Sequence, residues 1–274
     1  MNATMRKQAF ATLCGLALAT VFASSALAQG ATTLAAFTNP GPRAVQTRSV
    51  SGFTLYLPNP IPSGAPTLTW GNGTGGSPSS YSGLLRQWAS YGILVVASNS
   101  GSTGTGSQMV QGITVIQNGG FGAGNYVCTA GHSQGGSGTV NAARDSRVDC
   151  AMPVQPDNRF TATSNGRDLN GKPSLILCGS SDSLAPCGSS TSQSNGSGLF
   201  NQTSGPAVIV TRTGANHFEP TGSGVNDFTG ISTAWLVGNM FGDASARALF
   251  YGPSPQILQV SGWTNERFKG TSGL

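Results

Sequence analysis

The pentapeptide G-H-S-Q-G at residues 131–135 has the form G-x-S-x-G, whose central serine can act as a nucleophile. An apolar run, Tyr126 to Cys128, precedes it, and a segment of small residues follows it. A strand, a sharp turn and a helix in this order strain the serine backbone and project its hydroxyl above the sheet. Gly131 and Gly135 suit such a turn because bulkier side chains would clash across it. We therefore predict Ser133 as a nucleophile.

A serine hydroxyl needs a base to remove its proton. The chain contains two histidines, His132 and His217. His132 is adjacent to Ser133, so its side chain should leave the turn in a different direction. His217 remains by elimination, and it lies just past a predicted strand, Ala207 to Val210.

The base in turn needs a carboxylate that orients it and stabilises its charged form. Asp182 follows a predicted strand, Leu175 to Cys178, and carboxyl ends of parallel strands meet at one edge of a sheet. Asp157 also follows a strand, and we assign it to the rim of the cleft. The other aspartates considered and set aside are Asp145, Asp149, Asp168, Asp227 and Asp243.

Backbone N–H groups must stabilise the negative oxygen that forms when a serine attacks an ester. Gln134, the residue after the nucleophile, should supply one donor, and the glycine-rich loop at residues 71–76 should supply the second. The same loop also reads as G-x-G-x-x-G, which makes a dinucleotide-binding oxidoreductase the sharpest alternative. Against it, the next apolar run, Ile93 to Ala97, is followed by no acidic residue that could bind a ribose.

Apolar runs alternate with segments of helical periodicity along the chain, which predicts an α/β protein with a mostly parallel sheet and helices on both faces. We expect residues 29–48 to be an irregular entry segment and residues 189–204 to be a polar connection. The predicted strands are 53–57, 67–70, 93–97, 126–130, 148–154, 175–178 and 207–210. The predicted helices are 79–91, 110–116, 134–144 and 230–241.

Residues 1–28 have the features of a signal peptide: Arg6 and Lys7, an apolar run and the A-L-A site ending at Ala28. The alternative is an uncleaved membrane anchor, but the apolar run is short for a bilayer span. We expect secretion after cleavage, a single domain over residues 29–274 and no membrane anchor. A formal net charge of +5 without a basic patch argues against nucleic-acid binding.

Four of the five cysteines lie beyond residue 28, and four cysteines allow three pairings. We favour Cys128–Cys150, which would join neighbouring strands, and Cys178–Cys187, which would close a short loop. Free buried thiols are the alternative. No C-x-x-C pattern is present, so we expect no metal site.

Several segments resemble the bacterial cutinase and polyester-hydrolase branch of the α/β-hydrolases, which includes poly(ethylene terephthalate) hydrolases. They are D-S-L-A-P at residues 182–186, A-S-Y-G-I-L-V-V at residues 89–96 and A-W-L at residues 234–236. The order Ser, Asp, His along the chain is also that of α/β-hydrolases. The resemblance implies an α/β-hydrolase fold without a large cap domain and a monomeric serine esterase that needs no cofactor. It assigns the second oxyanion N–H to Thr74.

The chain departs from that branch at residues near the expected site. Gln134 stands where the branch usually has Met, and Thr74 where it usually has an aromatic residue. No Trp follows the Cys150 strand, so specificity for aromatic polyesters loses support. The alternatives are an esterase of plant or carbohydrate esters, feruloyl or acetyl esterase-like, and a non-catalytic binding protein on a hydrolase scaffold.

Overall fold

The computed structural model describes residues 29–157, 165–169, 171–188 and 196–274; the predicted signal peptide at residues 1–28 lies outside them. At its centre is a nine-stranded sheet with the order β1-β2-β4-β3-β5-β6-β7-β8-β9. The strands are β1 Ala44–Val50, β2 Phe53–Asn59, β3 Ala65–Gly71, β4 Leu94–Ser98, β5 Ala123–His132, β6 Cys150–Val154, β7 Ser174–Gly179, β8 Ala207–Arg212 and β9 Trp263–Lys269.

The six strands from β4 to β8 in this order are parallel, and the strands at both edges are antiparallel to their neighbours. β5, the strand that precedes Ser133, lies between β3 and β6 in the interior of the sheet. Its carboxyl end therefore shares one sheet edge with the carboxyl ends of β3, β7 and β8. All residues of β3, β4, β6 and β7 are buried, as expected for strands covered on both faces.

Helices cover both faces of the sheet, which confirms the predicted α/β class. Alternating strand residues pack on opposite sides: Leu175 and Leu177 belong to one apolar cluster, and Ile176 between them to another. α2 and α6 contribute to the first cluster, and α3, α4 and α5 to the opposite face. The helices are α1 at residues 29–36, α2 Ser82–Ser90, α3 Ser107–Asn118, α4 Gln134–Ala142, α5 Gly196–Gln202, α6 Thr229–Phe241 and α7 Ala244–Ala248.

The sequence-based assignment was wrong in three segments. Residues 29–48 contain α1 and most of β1, an edge strand that is largely exposed and so lacks an alternating apolar pattern. α5 lies within the predicted polar connection, where Leu199 and Phe200 are buried in spite of the surrounding polar residues. β9 was not predicted at all, and it pairs with β8 through a strand with only one buried residue.

Two disulfides join the cysteines in the pairing that the sequence favours. Cys128–Cys150 connects facing positions of β5 and β6, and Cys178–Cys187 joins the end of β7 to the loop after it. In the described part of the chain, no helix combines the length and apolarity that crossing a bilayer requires.

Candidate active site

Ser133 occupies the turn between β5 and α4, with φ 56° and ψ −123°. Such a left-handed conformation is strained for a residue with a side chain and persists where the surrounding structure enforces it. Here the Ser133 N–H donates to the Val154 carbonyl at 3.0 Å, and the Gly136 N–H donates to the Ser133 carbonyl at 2.9 Å. The elbow is thus tied to β6 on one side and to its own helix on the other.

Glycines allow three backbone segments to meet at this turn. A Cβ on Gly131 would overlap the carbonyl of Gly135, and a Cβ on Gly135 would overlap the carbonyl of Gly71 at the end of β3. The sequence requirement for small residues two positions either side of Ser133 therefore has a direct steric cause. It also brings the glycine-rich loop after β3 against the elbow.

Ser133, His217 and Asp182 form a continuous chain of hydrogen bonds. His217 Nδ1 lies 2.8 Å from Asp182 Oδ2, and His217 Nε2 lies 3.0 Å from Ser133 Oγ. Since the carboxylate only accepts, His217 carries its hydrogen on Nδ1, and its Nε2 lone pair accepts from the serine hydroxyl. All three side chains are at most 8% exposed. This is the arrangement in which a histidine can take the serine proton.

The loop after β7 holds Asp182 in its ionised form. Burial alone would raise the pKa of this carboxyl, but hydrogen bonds from His217 and from the Ala185 and Leu184 N–H groups outweigh it and lower the pKa. Both N–H groups donate to Oδ1, at 2.8 and 2.9 Å, which leaves Oδ2 for His217. The two carboxylate oxygens thus have separate tasks.

His132, which sequence reasoning set aside, supports the site. Its Nε2 lies 2.8 Å from the backbone carbonyl of His217 and therefore donates to it. Its Nδ1 then accepts from the Tyr81 hydroxyl at 3.0 Å, and that hydroxyl accepts from the Gly73 N–H at 3.0 Å. One chain of hydrogen bonds thus connects the glycine-rich loop to the loop of His217.

The two histidines have separate roles because of this environment. Complete burial, and then repulsion from His217, lower the pKa of His132 to about 3. His132 is therefore neutral at ordinary pH and acts as a fixed hydrogen-bonding group. Gln155 assists by donating from Nε2 to the Asn216 carbonyl at 2.7 Å. No sequence motif marks either residue, although His132 is part of the elbow pentapeptide itself.

The glycine-rich loop contacts the nucleophile directly. A Cβ on Gly73 would lie 3.3 Å from the Cβ of Ser133. Asn72 anchors the loop by donating from Nδ2 to the carbonyls of Ser98 and Ser100 at 2.6 and 2.9 Å. Within the described chain, neither the Thr74 N–H nor the Gln134 N–H has an acceptor. Both are thus available to a bound molecule.

A cavity of about 730 Å³ opens at Ser133 and His217. The glycine-rich loop and Tyr81 line one side, and Leu184 and Phe218 line the other, with 40% and 63% of their surfaces exposed. Asp157, predicted at the rim, lines the same cavity and is 7% exposed. A pocket with apolar walls and a few convergent polar groups is typical of a small-molecule site.

No group of three or more His, Cys, Asp or Glu suited to a metal occurs among the described residues. Comparison of the chain with protein-family models and with curated proteins finds no match.

Proposed function

We propose that this protein is a secreted serine esterase of the α/β-hydrolase fold, with Ser133, His217 and Asp182 as its catalytic triad. The observation that carries the proposal is the hydrogen-bonded chain from Asp182 through His217 to Ser133 at the floor of an open cavity. The strained elbow and the order of the three residues along the chain support the same fold. The two disulfides fit an oxidising compartment, and export with cleavage near Ala28 stays a prediction.

The reaction would be acyl transfer to water in two steps. Ser133 Oγ bonds to the ester carbonyl carbon, its proton passes to His217 Nε2, and the carbonyl π pair moves to the oxygen. The N–H groups of Thr74 and Gln134 donate to that oxygen. When the tetrahedral intermediate collapses, His217 returns the proton to the departing alcohol. Water then repeats the sequence on the acyl-enzyme and releases the acid.

Substitution of the nucleophile tests the proposal. Ser133→Ala should lower kcat for p-nitrophenyl butyrate by about 10⁶-fold and abolish labelling by a fluorophosphonate probe. Ser107→Ala, on the exposed start of α3, is the matched control and should keep both. Thermal unfolding should show both variants folded. Retained turnover in the folded Ser133→Ala variant would contradict the assignment, and an inactive, unlabelled natural protein would favour the binding-protein alternative.

The apolar rim favours an ester that is large or part of a polymer. Leu184 and Phe218 offer exposed apolar surface beside the triad, where a chain too long for the cavity would lie. Release of soluble product from an aliphatic polyester film, measured beside p-nitrophenyl butyrate, tests this. Activity on both supports a polyesterase, whereas activity on the small ester alone favours soluble plant or carbohydrate esters.

A further inference from the structure

The side chain of Gln134 connects the elbow to the two loops beside it. Its Nε2 donates to the Thr74 hydroxyl oxygen at 2.9 Å and to the Gly101 carbonyl at 3.0 Å. Its Oε1 accepts from the Gly104 N–H at 3.3 Å. A rotated amide would place oxygen against the Gly101 carbonyl and nitrogen against the Gly104 N–H, so the backbone dictates the observed orientation.

This orientation determines what the Thr74 hydroxyl can do. A threonine hydroxyl has one hydrogen to donate and two lone pairs with which to accept. Since Gln134 donates to its oxygen, the hydrogen of Thr74 must point to another partner. No acceptor for it exists in the described part of the chain, and Thr74 is exposed and lines the cavity.

The position of Thr74 is held on both sides. Gly73 packs against Ser133 and donates to the Tyr81 hydroxyl at 3.0 Å. The Gly75 N–H donates to the Gly101 carbonyl at 2.9 Å, the same carbonyl that accepts from Gln134. The residue between two such anchors has little freedom to turn its side chain away from the nucleophile.

We propose that the Thr74 hydroxyl is a third oxyanion donor, and that Gln134 is the positioning residue that directs it, in the ester hydrolysis proposed above, on which this inference rests. When the carbonyl π pair moves to the oxygen, the Thr74 O–H donates a hydrogen bond to it and keeps its proton. The Ser133 proton still passes to His217. Gln134 strengthens the donor because a hydroxyl that accepts a hydrogen bond is polarised toward donating one.

The test compares substitutions that differ only in the hydroxyl group. Thr74→Val removes the hydroxyl with little change of shape, and Thr74→Ser keeps it. Thr105→Val makes the same change on an exposed residue of the neighbouring loop, outside the cavity lining, and serves as the control. We expect Thr74→Val to lower kcat for p-nitrophenyl butyrate by about 100-fold with KM little changed. Thr74→Ser should retain most of kcat.

A second readout separates oxyanion binding from general damage to the site. An alkyl trifluoromethyl ketone adds to the serine and forms a hemiketal whose oxygen is negatively charged. Its inhibition constant should rise in Thr74→Val by the same factor as kcat falls, and should stay unchanged in Thr105→Val. A structural role alone would alter thermal unfolding and KM without this correlation.

The outcomes distinguish this inference from the function it rests on. If the natural protein hydrolyses the ester and Thr74→Val matches it, the third donor is refuted while the esterase stands. If Thr74→Ser is as impaired as Thr74→Val, the hydroxyl is not the determinant. If Thr74→Val does not fold, the ratio of Thr74→Ser to Thr74→Ala decides. If the natural protein shows neither hydrolysis nor phosphonate labelling, both proposals fail.

Discussion

On one side of the cleft, Ser133 and the oxyanion donors at Thr74 and Gln134 lie on loops that glycines bring into backbone contact. On the other side, Asp182 and His217 stand on the loops after β7 and β8. The first side works largely through backbone N–H groups, whose position depends on close packing. The second works through side chains, which can reach a target from a loop held at a few points. Steric change should therefore damage the first side most, and chemical change the second.

The largest effect should come from the acid. Asp182→Asn keeps the shape but not the charge, and an amide would favour the wrong tautomer of His217, so kcat should fall by about 10⁴-fold. Asp227→Asn, whose side chain is 43% exposed in a surface ion pair, is the control and should keep kcat. Measurement of ester hydrolysis decides it. Activity that survives Asp182→Asn but not Asp157→Asn would transfer the acid role to Asp157.

A steric change on the nucleophile side should cost stability as well as activity. Gly135→Ala places a Cβ against the Gly71 carbonyl, and the free energy of unfolding should fall by about 3 kcal/mol. Gly224→Ala is the matched control, because a Cβ there meets no atom within 4 Å. Denaturant unfolding and ester hydrolysis should both distinguish the two variants. Equal stabilities would show that the elbow can relax and would remove the packing argument.

The two disulfides should divide along the same line. By loop entropy, removing either pair with serines should cost about 3 kcal/mol of unfolding free energy. Cys128–Cys150 joins two buried strands away from the catalytic loops, so its loss should spare kcat. Cys178–Cys187 closes the loop that carries Asp182, so its loss should lower kcat in folded protein. Equal kcat in both double variants would show that hydrogen bonds alone hold the acid loop.

The smallest effect concerns pH. The pKa of His132 is about 3 in the fold, against 6.5 for an ordinary histidine, so the unfolded chain binds its proton first as pH falls. Stability from this group is full above about pH 6.5 and should fall by about 1.4 kcal/mol per pH unit toward pH 3. His132→Gln keeps a donor for the His217 carbonyl and should flatten this slope, measured by denaturant unfolding at several pH values. An unchanged slope would assign the acid sensitivity to other groups.

Local patterns were enough for the parts of the molecule whose causes are local. The elbow can be identified from residues 131–135 because steric demands at a sharp turn act over neighbouring positions. The interior strands can be identified because burial on both faces requires continuous apolar runs. β1 and β9 escaped because edge strands need no such pattern, and α5 because its buried side chains stand among polar neighbours.

The sequence by itself determined the α/β class, the candidate nucleophile, base and acid, and the cysteine pairs favoured for disulfides. Only the tertiary structure decided how these groups meet: the distances from Asp182 to His217 to Ser133, and the role of His132 as a neutral support. It also brought the Gln134 amide to the Thr74 hydroxyl. The physical reason is that hydrogen bonds between residues 60 or more positions apart depend on the order of strands in the sheet. No local pattern of side chains encodes that order.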